Sequence, residues 1–466
     1  MKIRRISTKE GECCPLLPIL HWTSLAICLL GLTIWAIWVW AGLNISPNII
    51  IDSNTPYLLS AIAQSLAAVL ALVFTISLIA SQLSSRFSHR ILSEFFDWFT
   101  IAYICLFIIA VILPLWLLAK SSLVGVKGSL LLTVVCLILL PLYLLRFREI
   151  LRPEHMLSNL KTRAIKQLLK NPYVPPENII IIDNAVMSAF ALKDYETFRK
   201  GVQVISDLAS EAQKWEPWDA MPDATSDIYD RLHDIFMLTI EDPRAPIHVL
   251  TALRNSGMNA INNDLKEATE TMLARTGSMG FAAVKKPQAN IVQEVLISFD
   301  LVGNEAIRKG WEDVVEGLVD FYLSNIAKEA VNRRVYHALS DAIAVLGHFG
   351  FMSANRGWTK IAESAASTLG YVGATAGQTR EKRMMDEAAR AVFWLARVGA
   401  SAILKKDIFL NNKVIAELNT VRDAAGVDTI NSAFSTAQGF FSSSQKDRAV
   451  GKALDKFIIS YKQVSS

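Results

Sequence analysis

Four stretches of this chain carry no charged side chain over a length that can cross a lipid bilayer, and no other feature restricts its folding so strongly. They run from Leu16 to Leu43, Tyr57 to Leu83, Trp98 to Leu118 and Gly128 to Leu145. A hydrocarbon core about 30 Å thick needs about 20 predominantly apolar residues in a helix. The first run has Trp22 near one end and Trp35, Trp38 and Trp40 near the other, as two interfacial belts require. Composition agrees: 52% of the residues are hydrophobic, 19% are charged, and mean hydropathy is +0.32. These runs predict four spans over 16–145, preceded by a short internal segment, 1–15.

Orientation follows from basic residues in the short flanks. Lys2, Arg4, Arg5 and Lys9 precede the first run, Arg86 and Arg90 follow the second, and Arg146, Arg148 and Arg152 follow the fourth. The other side has only Lys120 and Lys127, between the third and fourth runs. The expectation is a multi-pass plasma-membrane protein with both termini in the cytoplasm. Arg146, Arg148 and Arg152 open a basic juxtamembrane linker, 146–178, suited to anionic headgroups at about 1 kcal/mol per well-placed charge.

The remainder, 179–466, reads as helical, giving an all-α chain, although the Ile179–Ile182 run could be extended. Six five-residue units punctuate it: LARTG (273–277), FDLVG (299–303), LSNIA (323–327), LGHFG (346–350), LGYVG (369–373) and LARVG (395–399). Their last residues fall 26, 24, 23, 23 and 26 positions apart. Two such units match the length of one two-helix armadillo or HEAT repeat, so a stack of helical hairpins is expected. A Gly ending an apolar stripe suits either a helix C-cap or a close helix crossing. A bundle of similar-length helices is the alternative.

Chemistry-bearing motifs are absent. The chain has no GxxxxGK[ST], strand-linked GxGxxG, HExxH or GxSxG, and its five cysteines form no CxxC or Cys/His ligand spacing. No enzyme activity, cofactor or metal is therefore expected. From Arg146 onward 39 Lys/Arg face 38 Asp/Glu, a balance that gives no electrostatic footprint for nucleic acid.

The second run is apolar yet striped. On a helical wheel Ser60, Gln64, Ala67, Ala71, Thr75, Leu78 and Gln82 share one broad face, with Ser77 and Ser81 in a neighbouring seam. Polar groups in hydrocarbon must avoid lipid. Either they hydrogen-bond across packed helices, or copies of the helix surround water. The second outcome makes Ser60, Gln64, Thr75, Ser77, Ser81 and Gln82 pore-lining candidates in a homo-oligomeric channel regulated by the internal domain. The following segment, with Arg86, Arg90, Glu94 and Asp97, would form an amphipathic elbow at the internal mouth. The competing reading is a membrane-anchored scaffold whose helical repeats bind a cytosolic protein. Partners expected on these readings are membrane lipids, further copies of the chain and a cytosolic protein.

VFTISLIASQLSSRFSHRIL (73–92), followed by Phe95, Phe96 and Asp97, resembles the signature region of a family of uncharacterised bacterial predicted membrane proteins, the domain of unknown function 2254. The resemblance covers roughly residues 57–118. It implies a prokaryotic plasma-membrane location and no particular activity.

Overall fold

The computed structural model describes residues 55–85, 98–120, 123–150, 152–171, 176–214, 223–442 and 448–465. The described residues form helices and turns, with no strand among them. The first apolar run, Leu16–Leu43, and the elbow residues Arg86, Arg90, Glu94 and Asp97 lie outside them. The chain divides into two compact units, Met1–Arg152 and Pro153–Ser466.

The described part of the first unit is three helices, α1 (Thr55–Ser85), α2 (Trp98–Lys120) and α3 (Leu123–Ile150). They have 31, 23 and 28 residues, so even α2 is about 35 Å long at 1.5 Å per residue. Leu59, Ala63, Leu66 and Val73 of α1 are buried with Tyr103, Phe107 and Ala110 of α2 and Cys136 and Tyr143 of α3. The rings of Tyr103 and Tyr143 stack at 4.5 Å, which fixes α2 against α3. The outward faces are equally apolar: Leu72, Phe74, Ile109, Ile112, Trp116 and Ile138 are all exposed. Among the described residues no helix is long and apolar enough to cross a membrane.

The second unit is a stack of helical hairpins. Its helices are α4 (Pro153–Lys170), α5 (Glu177–Ala191), α6 (Tyr195–Gln213), α7 (Asp223–Thr239), α8 (Ala245–Asn262), α9 (Lys266–Lys285) and α10 (Ala289–Lys309). They continue with α11 (Glu312–Gly317), a π segment (Leu318–Leu323), α12 (Ser324–Arg333), α13 (Tyr336–Arg356), α14 (Thr359–Gln378) and α15 (Lys382–Lys405). The chain closes with α16 (Ile408–Ala425), α17 (Val427–Ser442) and α18 (Arg448–Ser465). Each helix packs on its sequence neighbour and on the helix one hairpin away. This generates a first row, α4, α6, α8, α10, α13, α15 and α18, and a second row, α5, α7, α9, α11–α12, α14 and α16. Such nearest-neighbour stacking is the arrangement of a helical-repeat solenoid.

The repeat is written in the turns. Between Asp264 and Lys406, residues with positive φ fall at Asp264, Pro287, Gly310, Arg334, Gly357, Arg380 and Lys406, separated by 23, 23, 24, 23, 23 and 26 residues. Most close as Schellman-type turns, with the following amide donating to a carbonyl five residues back: Leu265 to Ala260, Trp311 to Ala306, Trp358 to Ser353 and Asp407 to Ala402. The one 24-residue step contains the π segment, which takes up the additional residue as a bulge. Asp194 and Asp407 cap α6 and α16 by accepting from the amides of Thr197 and Leu410.

The structure corrects two sequence expectations and decides a third that was open. Ile179–Ile182 lies inside α5, because Ile179, Ile181 and Ile182 all bury against neighbouring helices. The segment 146–178 is no continuous linker: α3 runs through Ile150, and α4 is a packed helix with Leu157, Leu160, Ala164 and Leu168 buried. Of the two readings of the unit glycines, C-cap or close crossing, the structure takes the second. Gly277, Gly303, Gly350, Gly373 and Gly399, which end the units, sit within helices at close crossings, as does Gly347 inside the fourth unit, each beneath a side chain from further along the stack. A Cβ at Gly277 would lie 2.3 Å from the Tyr322 ring, and one at Gly347 2.2 Å from Trp394.

Candidate functional site

Three successive helices of the first row, with α17, bring together a group of polar and aromatic side chains. Asp300 and Asn304 stand one turn apart on α10, where i and i+4 share a face, and the Asn304 amide donates to Asp300 at 3.0 Å. That leaves the Asn304 carbonyl facing α13, 2.9 Å from Nε2 of His348. The acceptor side of Asn304 thereby assigns the proton to Nε2. Burial, reinforced by the nearby Arg397 charge and opposed by Asp300, holds the imidazole below its ordinary pKa, so His348 is neutral at pH 7.

Arg397 on α15 is ringed by aromatic side chains. Its guanidinium carbon lies 4.6 Å from the Phe351 ring centre, 4.4 Å from Trp394 and 5.7 Å from Phe393. Phe440 and Phe441 of α17 complete the cage at 5.4 and 5.2 Å. Helix spacing explains the near side: Phe393, Trp394 and Arg397 fall within one turn of α15. Trp394 can lie flat against α13 only because position 347 is glycine. Ser401, one turn further, donates to Asn355 at 2.5 Å and continues the track across the same two helices. Phe440 is 51% exposed, so one wall of the cage faces outward.

This arrangement supplies aromatic faces, a cation and a neutral hydrogen-bonding imidazole, which is the chemistry of recognition. Among the described residues no group of three or more His, Cys, Asp or Glu is placed to hold a metal ion.

The residues singled out from sequence lie elsewhere. On α1, Gln64 and Thr75 are exposed and Ser60 is half-buried, while Leu59, Ala63, Leu66 and Val73 occupy the opposite, buried face. The stripe therefore does not face α2 or α3. The Thr75 hydroxyl is satisfied within the helix, donating to the Ala71 carbonyl at 2.8 Å. Gln64 reaches Ser60 at 3.5 Å. The side chains of Ser77, Ser81, Gln82, Arg146 and Arg148 lie outside the described set; Arg152 is exposed. Sequence reading missed the Arg397 cage. FWLAR (393–397) was visible inside one repeat unit, but Phe351 and Phe440–Phe441 join it only through the stacking of α13, α15 and α17.

Residues 19–225 match the family model described as predicted membrane protein (DUF2254). The match extends beyond residues 57–118 in both directions and takes in α1 to α6. No curated protein matches. Among solved structures, a circular tandem repeat protein with novel repeat topology and enhanced subunit contact surfaces is similar over 87% of this chain and 98% of its own, at 14% identity and a TM-score of 0.32.

Proposed function

We propose that the chain is a membrane-anchored scaffold: its charge-free helices span the bilayer, and its hairpin stack binds a protein partner across the first-row surface around Arg397. The anchor is supported by the charge-free runs of the sequence, by exposed aliphatic side chains on the outward faces of α1 to α3, and by the family match. The basic flanks support cytoplasmic termini. The observation that carries the scaffold is the Arg397 cage with its exposed Phe440 wall. Arginine and aromatic side chains concentrate the binding energy of protein interfaces. A photo-crosslinking residue at position 440 of the full chain in cells tests it. A discrete adduct with a different protein, lost on Arg397→Ala, is expected; adducts with further copies of the chain alone contradict it.

A homo-oligomeric channel is the second reading, favoured by the outward position of Gln64 and Thr75. On that reading Gln64→Leu and Thr75→Val change ion flux through reconstituted liposomes. Unchanged flux in both variants removes it.

A further inference from the structure

Five turns that join the second row to the first are tied to one another in sequence order. They are 193–195, 241–244, 285–288, 333–335 and 380–383. Tyr195 donates to Asp242 at 2.6 Å, linking the first turn to the second. Lys286 pairs with Glu241 at 2.8 Å, and the Arg333 guanidinium donates to the Lys285 carbonyl at 3.2 Å. Arg334 and the neighbouring Tyr336 both reach Glu381, at 3.0 and 2.7 Å. The turns thus form one continuous edge of the stack, about 40 Å long at 8–10 Å per helix step.

This edge is strongly basic. It holds nine Lys/Arg (Lys193, Arg244, Lys285, Lys286, Arg333, Arg334, Arg380, Lys382, Arg383) against four Asp/Glu (Asp194, Glu241, Asp242, Glu381), a surplus of +5. The whole of 153–466 has 36 Lys/Arg against 37 Asp/Glu, so the edge concentrates positive charge in a unit that is otherwise acidic. The turns at the opposite hairpin ends, 263–266, 309–312, 356–358 and 405–407, hold five against three.

Local geometry adds to the count. Lys193, Arg244, Lys285, Arg380, Lys382 and Arg383 are exposed, and among the described residues none forms an ion pair. Aromatic rings prop several of them: Arg244 over Tyr195 at 5.6 Å, Lys285 over Phe281 at 4.2 Å and Arg383 over Tyr336 at 5.7 Å. Lys193, Arg334 and Arg380 occupy left-handed backbone, where Gly or Asn is the unstrained choice.

We infer that this edge is a docking surface for the anionic headgroups of a lipid bilayer. Charge complementarity supplies the attraction, which falls off within about a Debye length. The chain supplies proximity: α3 ends at Ile150 and α4 begins at Pro153, so the hairpin stack follows directly on a helix assigned above to the bilayer. A tethered surface meets its partner at high effective concentration.

Amide hydrogen exchange of the full chain in lipid nanodiscs tests the inference. Discs of phosphatidylcholine are compared with discs containing phosphatidylglycerol. The turns 285–288, 333–335 and 380–383 are expected to exchange about fivefold more slowly in the anionic discs, with the opposite turns unchanged. High salt should abolish the difference in the unaltered chain, and Lys285→Glu with Lys382→Glu and Arg383→Glu should do so at low salt. Equal exchange in both discs overturns the inference, as does equal protection of both edges. Protection by added polyuridylate in neutral discs, without protection by anionic lipid, overturns it in favour of a nucleic acid. Incorporation into neutral discs reports on the spans alone. A chain that stays outside the discs contradicts the spans and removes the tether; an incorporated chain with unprotected turns contradicts the docking alone.

Discussion

Glu387 shows how one side chain is set by the stack. It lies on α15, only 7% exposed, facing Ser340 and Asp341 of α13 with Arg390 at 3.7 Å on its own helix. Burial raises its pKa, the Asp386 and Asp341 carboxylates raise it further, and Arg390 opposes them. A carboxyl whose folded pKa exceeds its unfolded value favours folding most when protonated. Stability is therefore greatest below the unfolded value of 4.5 and falls as pH rises from there through the raised folded value. Glu387→Gln is expected to flatten that fall and raise the melting temperature at pH 7, with little change at pH 4. Thermal unfolding at the two pH values measures this, and an equal shift at both would contradict it. Lys406 offers a second residue-scale test, since its φ of 58° places a β-carbon in the left-handed region. Lys406→Gly is predicted to stabilise the chain by about 1 kcal/mol, or about 2–4 °C in melting temperature.

At the scale of the helix, the repeat was legible and its mechanism was not. The 23-to-26-residue spacing of the five-residue units matches the spacing of the turns, because one helix and its turn make one unit. The glycines suited either caps or close crossings, and the backbone that needs left-handed geometry is occupied by Asp264, Arg334, Arg380 and Lys406 as well as Gly310 and Gly357. Basic and acidic residues at those positions hide the turns from a search for glycine. The glycines instead serve the crossings. Gly303→Ala would place a Cβ 2.3 Å from Cζ of Phe349 and 2.7 Å from Cδ2 of Leu318. It is expected to cost about 1–3 kcal/mol in urea unfolding, partly recovered by Phe349→Leu. A neutral Gly303→Ala would show that the α10–α13 contact has slack the structure does not display. The α1 stripe was equally legible as a pattern, and its burial was not. Wheel position distinguishes faces, but only packing shows that the apolar face turns inward and Gln64 and Thr75 turn out.

Across the whole molecule the division of labour follows from composition. The charge-free runs are confined to the first 145 residues, while the charged residues beyond Arg152 nearly cancel. The Arg397 cage and the basic edge could not be read from either fact. Each draws residues from several hairpins, and only a repeat of about 46 residues brings them into register: His348 meets Asn304 at a separation of 44, and Arg334 meets Glu381 at 47. The account rests on helices that cross the bilayer and leave the hairpin stack on the cytoplasmic side. Labelling intact cells or right-side-out vesicles with a membrane-impermeant amine reagent, and mapping the modified lysines by mass spectrometry, tests this most directly. Modification of Lys120 and Lys127, and of no lysine from Lys161 onward until the membrane is opened, is predicted. Modification of Lys286 or Lys382 in sealed membranes would contradict it.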